Sequence, residues 1–181
     1  DLDLRRYAKA EKGCILNSRI LWFFSEAAML LHTPELSHAA DHAYRFLMRY
    51  CVDRKAGGVF WSVTYDGKLL DTTKHTYNQA FAIYALSAYY RLTGNPEALQ
   101  TARQLFQIVE MHCRDAEGYG ESYDRFWNPQ SNEKLSENGV MAERTMNTLL
   151  HVFEGYSGLY QAAKSPEVEK ELRALLDIWS E

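Results

Sequence analysis

Apolar residues recur along this chain with the period of an α-helix. Ala40, Tyr44, Leu47 and Cys51 follow an i, i+4, i+7, i+11 stripe, which puts them on one helix face. The stripe returns 62 positions later as Ala102, Phe106, Val109 and Cys113, and Asp53 maps onto Asp115 by the same step. Each stripe then runs into glycine. Gly57-Gly58 leads into Val59-Phe60-Trp61-Ser62-Val63, and Gly118-Tyr119-Gly120 into Glu121-Ser122-Tyr123. Glycine ends a helix, and the β-branched and aromatic run after it predicts a short strand. Asp66-Gly67 predicts the turn that sends the first strand back as a hairpin.

A second set of helices precedes these. Three apolar runs open on asparagine, at Asn17, Asn78 and Asn147. Each is followed by a helix-start triplet: Thr33-Pro34-Glu35, Asn95-Pro96-Glu97 and Ser165-Pro166-Glu167. In such a triplet the first side chain caps free amides, proline fits the first helical position, and glutamate favours the positive end of the dipole. The repeating unit is therefore inner helix, tight turn, outer helix, short β-hairpin. Three helical hairpins are expected: 14–32 with 35–52, 76–93 with 96–113, and 143–163 with 166–180. Units of this kind stack through their apolar faces into α/α toroids and solenoids. The chain is thus all-α and built of repeated helical hairpins at 14–52, 76–113 and 143–180, in one unit over 1–181, as an α/α toroid or a solenoid is. A toroid gathers the starts of its inner helices around a central pocket, which points to Asn17, Asn78 and Asn147.

Composition narrows the classes. With 46% hydrophobic and 24% charged residues the chain has a globular balance and is no disordered tail. A net charge of −4 argues against nucleic acid as a partner, because phosphate binding needs an excess of lysine and arginine. The longest apolar stretch, 20–31, is interrupted by Ser25 and Glu26, so no membrane span is expected. Cys14, Cys51 and Cys113 fall within helical patterns without C-x-x-C spacing. They read as reduced thiols of a cytoplasmic protein, forming neither a disulfide framework nor a zinc site. The chain opens on Asp1 without methionine and closes within an amphipathic pattern at Asp177-Ile178-Trp179. Its ends read as cut, so a missing signal peptide says little about localisation.

Several residues could carry chemistry. Asn147, His151 and Glu154 are spaced to share one helix face. A neutral histidine suits acid/base work on a sugar or carbonyl near pH 7; its plain alternative is a hydrogen-bonded or exposed side chain, and Glu154 reads as a structural or solvated carboxylate. Arg19 sits among Ile20, Leu21, Trp22 and Phe23. It either forms an ion pair with a neighbouring helix or faces a polar cavity, where it would polarise a substrate oxygen. Phe60, Trp61, Tyr65, Tyr77, Tyr123, Phe126 and Trp127 cluster beside the expected hairpins. Such rings can stack on sugars, yet most belong to the core, and about two of them are expected to touch a ligand. His38 and His42 have i, i+4 spacing, but with no third ligand they read as an outer helix surface. No phosphate-binding glycine loop, nucleophile elbow or dinucleotide fingerprint occurs.

Together these segments resemble the N-acylglucosamine 2-epimerase superfamily, most of all its cellobiose 2-epimerases. The resemblance runs through Lys12-Gly13-Cys14-Ile15-Leu16-Asn17-Ser18-Arg19 and the run from Gly57 to Val63. It continues through Lys74-His75-Thr76-Tyr77-Asn78-Gln79-Ala80-Phe81, Asp124-Arg125-Phe126-Trp127, Leu135-Ser136-Glu137-Asn138-Gly139 and Thr145-Met146-Asn147. It implies an (α/α)6 barrel that inverts the reducing-end sugar at C2 without organic cofactor or metal. In the family a histidine removes the C2 proton to give an enediolate, and a second returns one to the opposite face. By that resemblance Arg19 is the pocket arginine at the sugar oxygens. Asn147 is the pocket asparagine and His151 a supporting histidine, with Trp61 and Tyr77 as pocket wall.

The departure is equally informative. The family's acid/base histidine pair lies in the second half of the barrel, one member in a Gly-His-Asp-x-Glu segment, and no such segment occurs here. Three hairpins make about half of a six-hairpin ring, so the chain is expected to be an inactive fragment on its own. Its bare apolar faces call for self-association, for pairing with the missing half, or for a longer molecule. Competing readings are a mannose-type aldose–ketose isomerase of the same superfamily and a non-catalytic sugar-binding repeat domain. A glycoside hydrolase fits less well, because no pair of pocket carboxylates presents itself.

Overall fold

The computed structural model describes residues 7–131 and 144–180. The family segment 135–139 and the expected start of the third hairpin at 143 lie outside the described residues.

Six helices form three antiparallel hairpins. These are α1 (Cys14–Leu31) with α2 (Pro34–Phe46), α3 (Thr76–Thr93) with α4 (Pro96–His112), and α5 (Met146–Ala163) with α6 (Pro166–Ser180). The inner helices α1, α3 and α5 lie side by side with α3 in the middle, and α2, α4 and α6 each pack on their own inner partner. Helix α3 is covered on several sides. Ala80, Ala82, Ile83, Ala85, Leu86 and Ala88 are buried all round it, which is why its sequence shows no single apolar stripe. The outer helices do show one, and all eight residues of the two repeated stripes are buried.

The repeat extends to the helix ends. Helix α2 continues as a π-helical turn (Leu47–Cys51), closed by Val52 N–H donating to Leu47 O at 3.2 Å. Arg114 N–H donates to Val109 O over the same distance at the end of α4. Next, Asp53 Oδ1 accepts from the amides of Lys55 and Ala56, and Asp115 Oδ1 from those of Glu117 and Gly118. Phe60 N–H and Gly120 N–H then return to the carbonyls of Cys51 and Cys113, both at 2.9 Å. Of the expected caps, Asn95 accepts from the amides of Glu97 and Ala98. Thr33 makes no side-chain cap bond, so there the fixed φ of Pro34 carries the start of α2.

Short strands connect the hairpins. β1 (Lys12–Gly13), β2 (Ser62–Val63) and β3 (Leu69–Asp71) form an antiparallel sheet in that order, and β4 (Lys74–His75) pairs with β5 (Ser122–Tyr123). Both sheets sit over the N-terminal ends of inner helices. All three cysteines are buried and free. Helix α1, with mean hydropathy 1.3 over 18 residues, is apolar and long enough to cross a membrane, despite Ser25 and Glu26. Part of that apolar character packs on α2 and α3, where Leu21 and Ala28 are buried, while Leu16, Phe23, Leu30 and Leu31 are exposed; Glu26 pairs with Arg91 of α3 at 2.8 Å.

Helices α3 and α5 pack tightly at Gly155. A Cβ there would stand 2.7 Å from Ala80 O, a backbone atom that cannot swing away. Gly155→Ala is therefore expected to lower stability by about 1–3 kcal/mol despite alanine's better helix propensity. Urea denaturation checks this, and a variant as stable as the parent would mean that the two helices are not held at this distance.

Candidate functional site

A strip of rings runs across the starts of the inner helices. Trp61, half-buried just before β2, lies 4.5 Å from the His75 ring and 6.0 Å from Tyr77. Tyr77 neighbours Phe81 one turn on at 6.3 Å, and the Phe81 ring meets His151 of α5 at 4.5 Å. The exposed Arg19, from the second turn of α1, sets its guanidinium 5.4 Å from the centre of the same Phe81 ring. Among the described residues Arg19 pairs with no carboxylate. Of its two sequence readings, the ion pair with a neighbouring helix is absent there, and the cation lies against a ring. His151 Nδ1 lies 2.7 Å from Glu154 Oε2.

Arg19, Trp61, Tyr77 and His151 thus come together. Asn147 stands one turn before His151, exposed, and its side-chain amide makes no hydrogen bond among the described residues. The other two asparagines have different work. Asn17 donates to Gly13 O at 2.8 Å, and the fully buried Asn78 donates to Phe60 O at 2.8 Å. The three occupy the fourth, third and second positions of their helices, so they face different ways and do not form a ring of equivalent groups. Of the seven aromatics, Phe60, Tyr123 and Trp127 are core, Tyr65 and Phe126 are exposed outside the strip, and Trp61 and Tyr77 line it.

The strip is held from behind by polar groups that periodicity does not reveal. Gln79 is fully buried, and its side-chain amide accepts from Val59 N–H at 2.6 Å and donates to Val59 O at 2.9 Å. One turn of α3 therefore clamps the strand segment that carries Trp61. The Trp61 carbonyl in turn accepts from Cys14 N–H at 2.9 Å and so caps α1, which carries Arg19. Glu121, buried just before β5, does the same for α5. Its carboxylate accepts from Thr145 N–H at 2.7 Å and from Thr148 Oγ1 at 2.6 Å, a negative charge at the positive end of the helix. Burial pushes the Glu121 carboxyl above its ordinary range, and the threonine hydrogen bonds oppose that.

Beneath the strip lies a buried ion cluster. Lys74, fully buried in β4, donates to Asp53 Oδ2 at 3.2 Å and to Gly57 O at 2.7 Å. Arg125 grips both Asp53 oxygens at 2.8 and 3.0 Å, and the ammonium of Lys74 stands 4.5 Å from the Phe60 ring centre. Burial pushes the Lys74 ammonium down to about 8 against the opposing pull of Asp53. Burial would raise the Asp53 carboxyl, but the Arg125 hydrogen bonds, the amides of Lys55 and Ala56 and the Lys74 charge hold it far below the usual carboxylate range. Trp127 completes the lock: at φ 71° in the loop after β5, it donates from its indole to Ala56 O at 2.8 Å. Its ring fills the space that a Cβ on Gly58 would enter at 2.6 Å, and Gly58 itself has φ +79°.

No group of three or more metal-type ligands assembles among the described residues, and His38 and His42 are exposed on α2.

A profile of the N-acylglucosamine 2-epimerase (GlcNAc 2-epimerase) family matches residues 2–154. The chain belongs to this family. Within the N-acylglucosamine 2-epimerase family it is 58% identical over 162 residues to the cellobiose 2-epimerase of Eubacterium cellulosolvens, an alignment covering 90% of this chain and 40% of that protein. It superposes on the cellobiose 2-epimerase structure from Bacillus thermoamylovorans with a TM-score of 0.94 at 44% identity, over 98% of this chain and 46% of the other. A D-mannose isomerase from Marinomonas mediterranea is more distant, 25% identical over 166 residues, or 89% of this chain and 38% of that protein. The chain spans under half the length of these relatives, and its fold is about half of an (α/α)6 barrel.

The ion cluster makes a stability prediction. Asp53→Asn leaves the Lys74 charge buried without its partner and is expected to cost about 3–5 kcal/mol at neutral pH. Adding Lys74→Met should recover part of that loss, since an apolar side chain needs no counter-charge. Because the folded-state pKa of Asp53 lies below its unfolded value, its contribution is complete above the ordinary carboxylate range and fades as pH falls. The gap between parent and Asp53→Asn should therefore narrow in acid. Urea denaturation across pH reads all three outcomes; strictly additive losses in the double variant would contradict them.

Proposed function

We propose that this chain supplies one half of the sugar-binding ring of a carbohydrate 2-epimerase acting on the reducing end of cellobiose-type disaccharides. The observation that carries the reading is the convergence of Arg19, Trp61, Tyr77 and His151 on one strip, in a family member with cellobiose 2-epimerases as close relatives. In this reading Trp61 and Tyr77 stack against the sugar, and Asn147 and Arg19 donate to its oxygens. The guanidinium stabilises negative charge developing on the enediolate oxygen. His151 exchanges hydrogen bonds with a sugar hydroxyl in a supporting role. Proton removal and return at C2 belong to groups outside this chain. The identity gap between 58% and 25% favours the epimerase over the mannose-type isomerase.

Two apolar edges support pairing with the missing half. Leu16, Phe23 and Leu30, at heptad spacing on α1, are 58%, 57% and 77% exposed, and Met146 and Leu150 stand out on α5. Exposed apolar side chains grouped along such edges fit an interface. Self-association through the same edges would appear as a dimer in size-exclusion chromatography. The buried, unpaired cysteines fit a cytoplasmic setting.

The test is a graft. The 181 residues alone should not epimerise cellobiose. Exchanged for the matching segment of the Eubacterium cellulosolvens enzyme, they should support turnover, with Arg19→Met and His151→Asn each lowering kcat/KM by about a hundredfold or more. A folded graft without activity, or one indifferent to both substitutions, would refute the reading.

A further inference from the structure

The pair formed by His151 and Glu154 says more than that a histidine faces the strip. Glu154 follows His151 by three residues, and its Oε2 lies 2.7 Å from Nδ1. The histidine side chain is 21% exposed and the glutamate 43%. Glu154 also borders a cavity of about 360 Å³ with Trp22, Tyr84, Ser157 and Gln161, so its carboxylate has access to water. An ionised carboxylate only accepts hydrogen bonds. The hydrogen in this contact must then sit on Nδ1, which leaves the lone pair of the neutral ring on Nε2. The Phe81 ring at 4.5 Å and the Tyr77 ring at 6.2 Å limit how the imidazole can turn.

We propose that Glu154 is a positioning residue: it fixes His151 as the Nδ1–H tautomer and presents Nε2 as a hydrogen-bond acceptor for a hydroxyl of the bound sugar. This rests on the sugar-binding reading for its ligand, whereas the tautomer is a property of the chain alone. A carboxylate behind a working histidine sets which nitrogen is available, as metal-site and acid/base histidines show generally. Without Glu154 the imidazole would revert to the Nε2–H form that free imidazole side chains favour, and it would turn a donor toward the sugar instead of an acceptor.

The experiment is long-range proton–nitrogen NMR on the uniformly nitrogen-15-labelled 181-residue chain, at a pH where the rings are neutral. The His151 signals are assigned by their loss in His151→Gln. The proposal expects Nδ1 protonated and Nε2 bare in the parent chain. Glu154→Gln, which keeps an acceptor oxygen, should preserve that state, and Glu154→Ala should change the tautomer ratio by roughly fivefold or more. A parent ring carrying its hydrogen on Nε2, or an unchanged ratio in Glu154→Ala, overturns the proposal; should the alanine variant misfold, the parent spectrum alone decides. No sugar enters the measurement, so a failure of the sugar-binding reading in the graft leaves this result separate.

Discussion

One buried carboxylate holds the end of this molecule that carries the candidate site in place. Asp53, left at the end of the first outer helix, meets a lysine from the strand before α3 and an arginine from the loop after β5. Lys74 lies 21 and Arg125 lies 72 residues beyond Asp53 along the chain. The charges tie together segments that Phe60, Tyr123 and Trp127 also join in the core. An isolated ammonium at the depth of Lys74 would be prohibitive to bury, so the loop, the strand and the arginine must arrive together. Their joint arrival places Phe60 and Trp61 on one side and His75 and Tyr77 on the other, which is the wall of the site.

The same logic of one element fixing the next continues along the strip. A carbonyl of the Trp61 segment caps α1 and aims Arg19; the Gln79 amide clamps Val59; Glu121 pins the first turn of α5 below His151. Each inner helix is therefore positioned at its N-terminus by a group from a neighbouring strand or helix. In a half-ring this matters more than in a closed one, because α1 and α5 each have one flank without an inner neighbour. On α1, Leu16, Phe23 and Leu30 are exposed.

Much of this was legible in the sequence. The 62-residue offset between Ala40 and Ala102 marks two copies of one hairpin, and the copies agree down to their wide closing turns and aspartate loops. Outer helices are readable because one face meets solvent. Helix α3 carries little pattern because nearly every side meets protein, so in the sequence it is marked by the run opening on Asn78 and by the triplet at Asn95 that follows. The polar supports escaped for a different reason: Lys74, Gln79 and Glu121 look like ordinary surface residues until long-range pairing buries them. Asparagine repetition was misleading in one respect, since a shift of one residue per repeat turns Asn78 into the core and leaves Asn147 exposed.

Hydrogen–deuterium exchange on an Arg125→Met variant tests most directly whether the ion cluster holds the wall. The substitution removes one grip on Asp53 and leaves the Asp53–Lys74 pair in place. The amides of Asp53, Gly57 and Phe60 are expected to exchange roughly tenfold faster or more, while those in the middle of α4 keep their protection. Unchanged exchange at these three amides, or an equal rise throughout α4, would contradict the account.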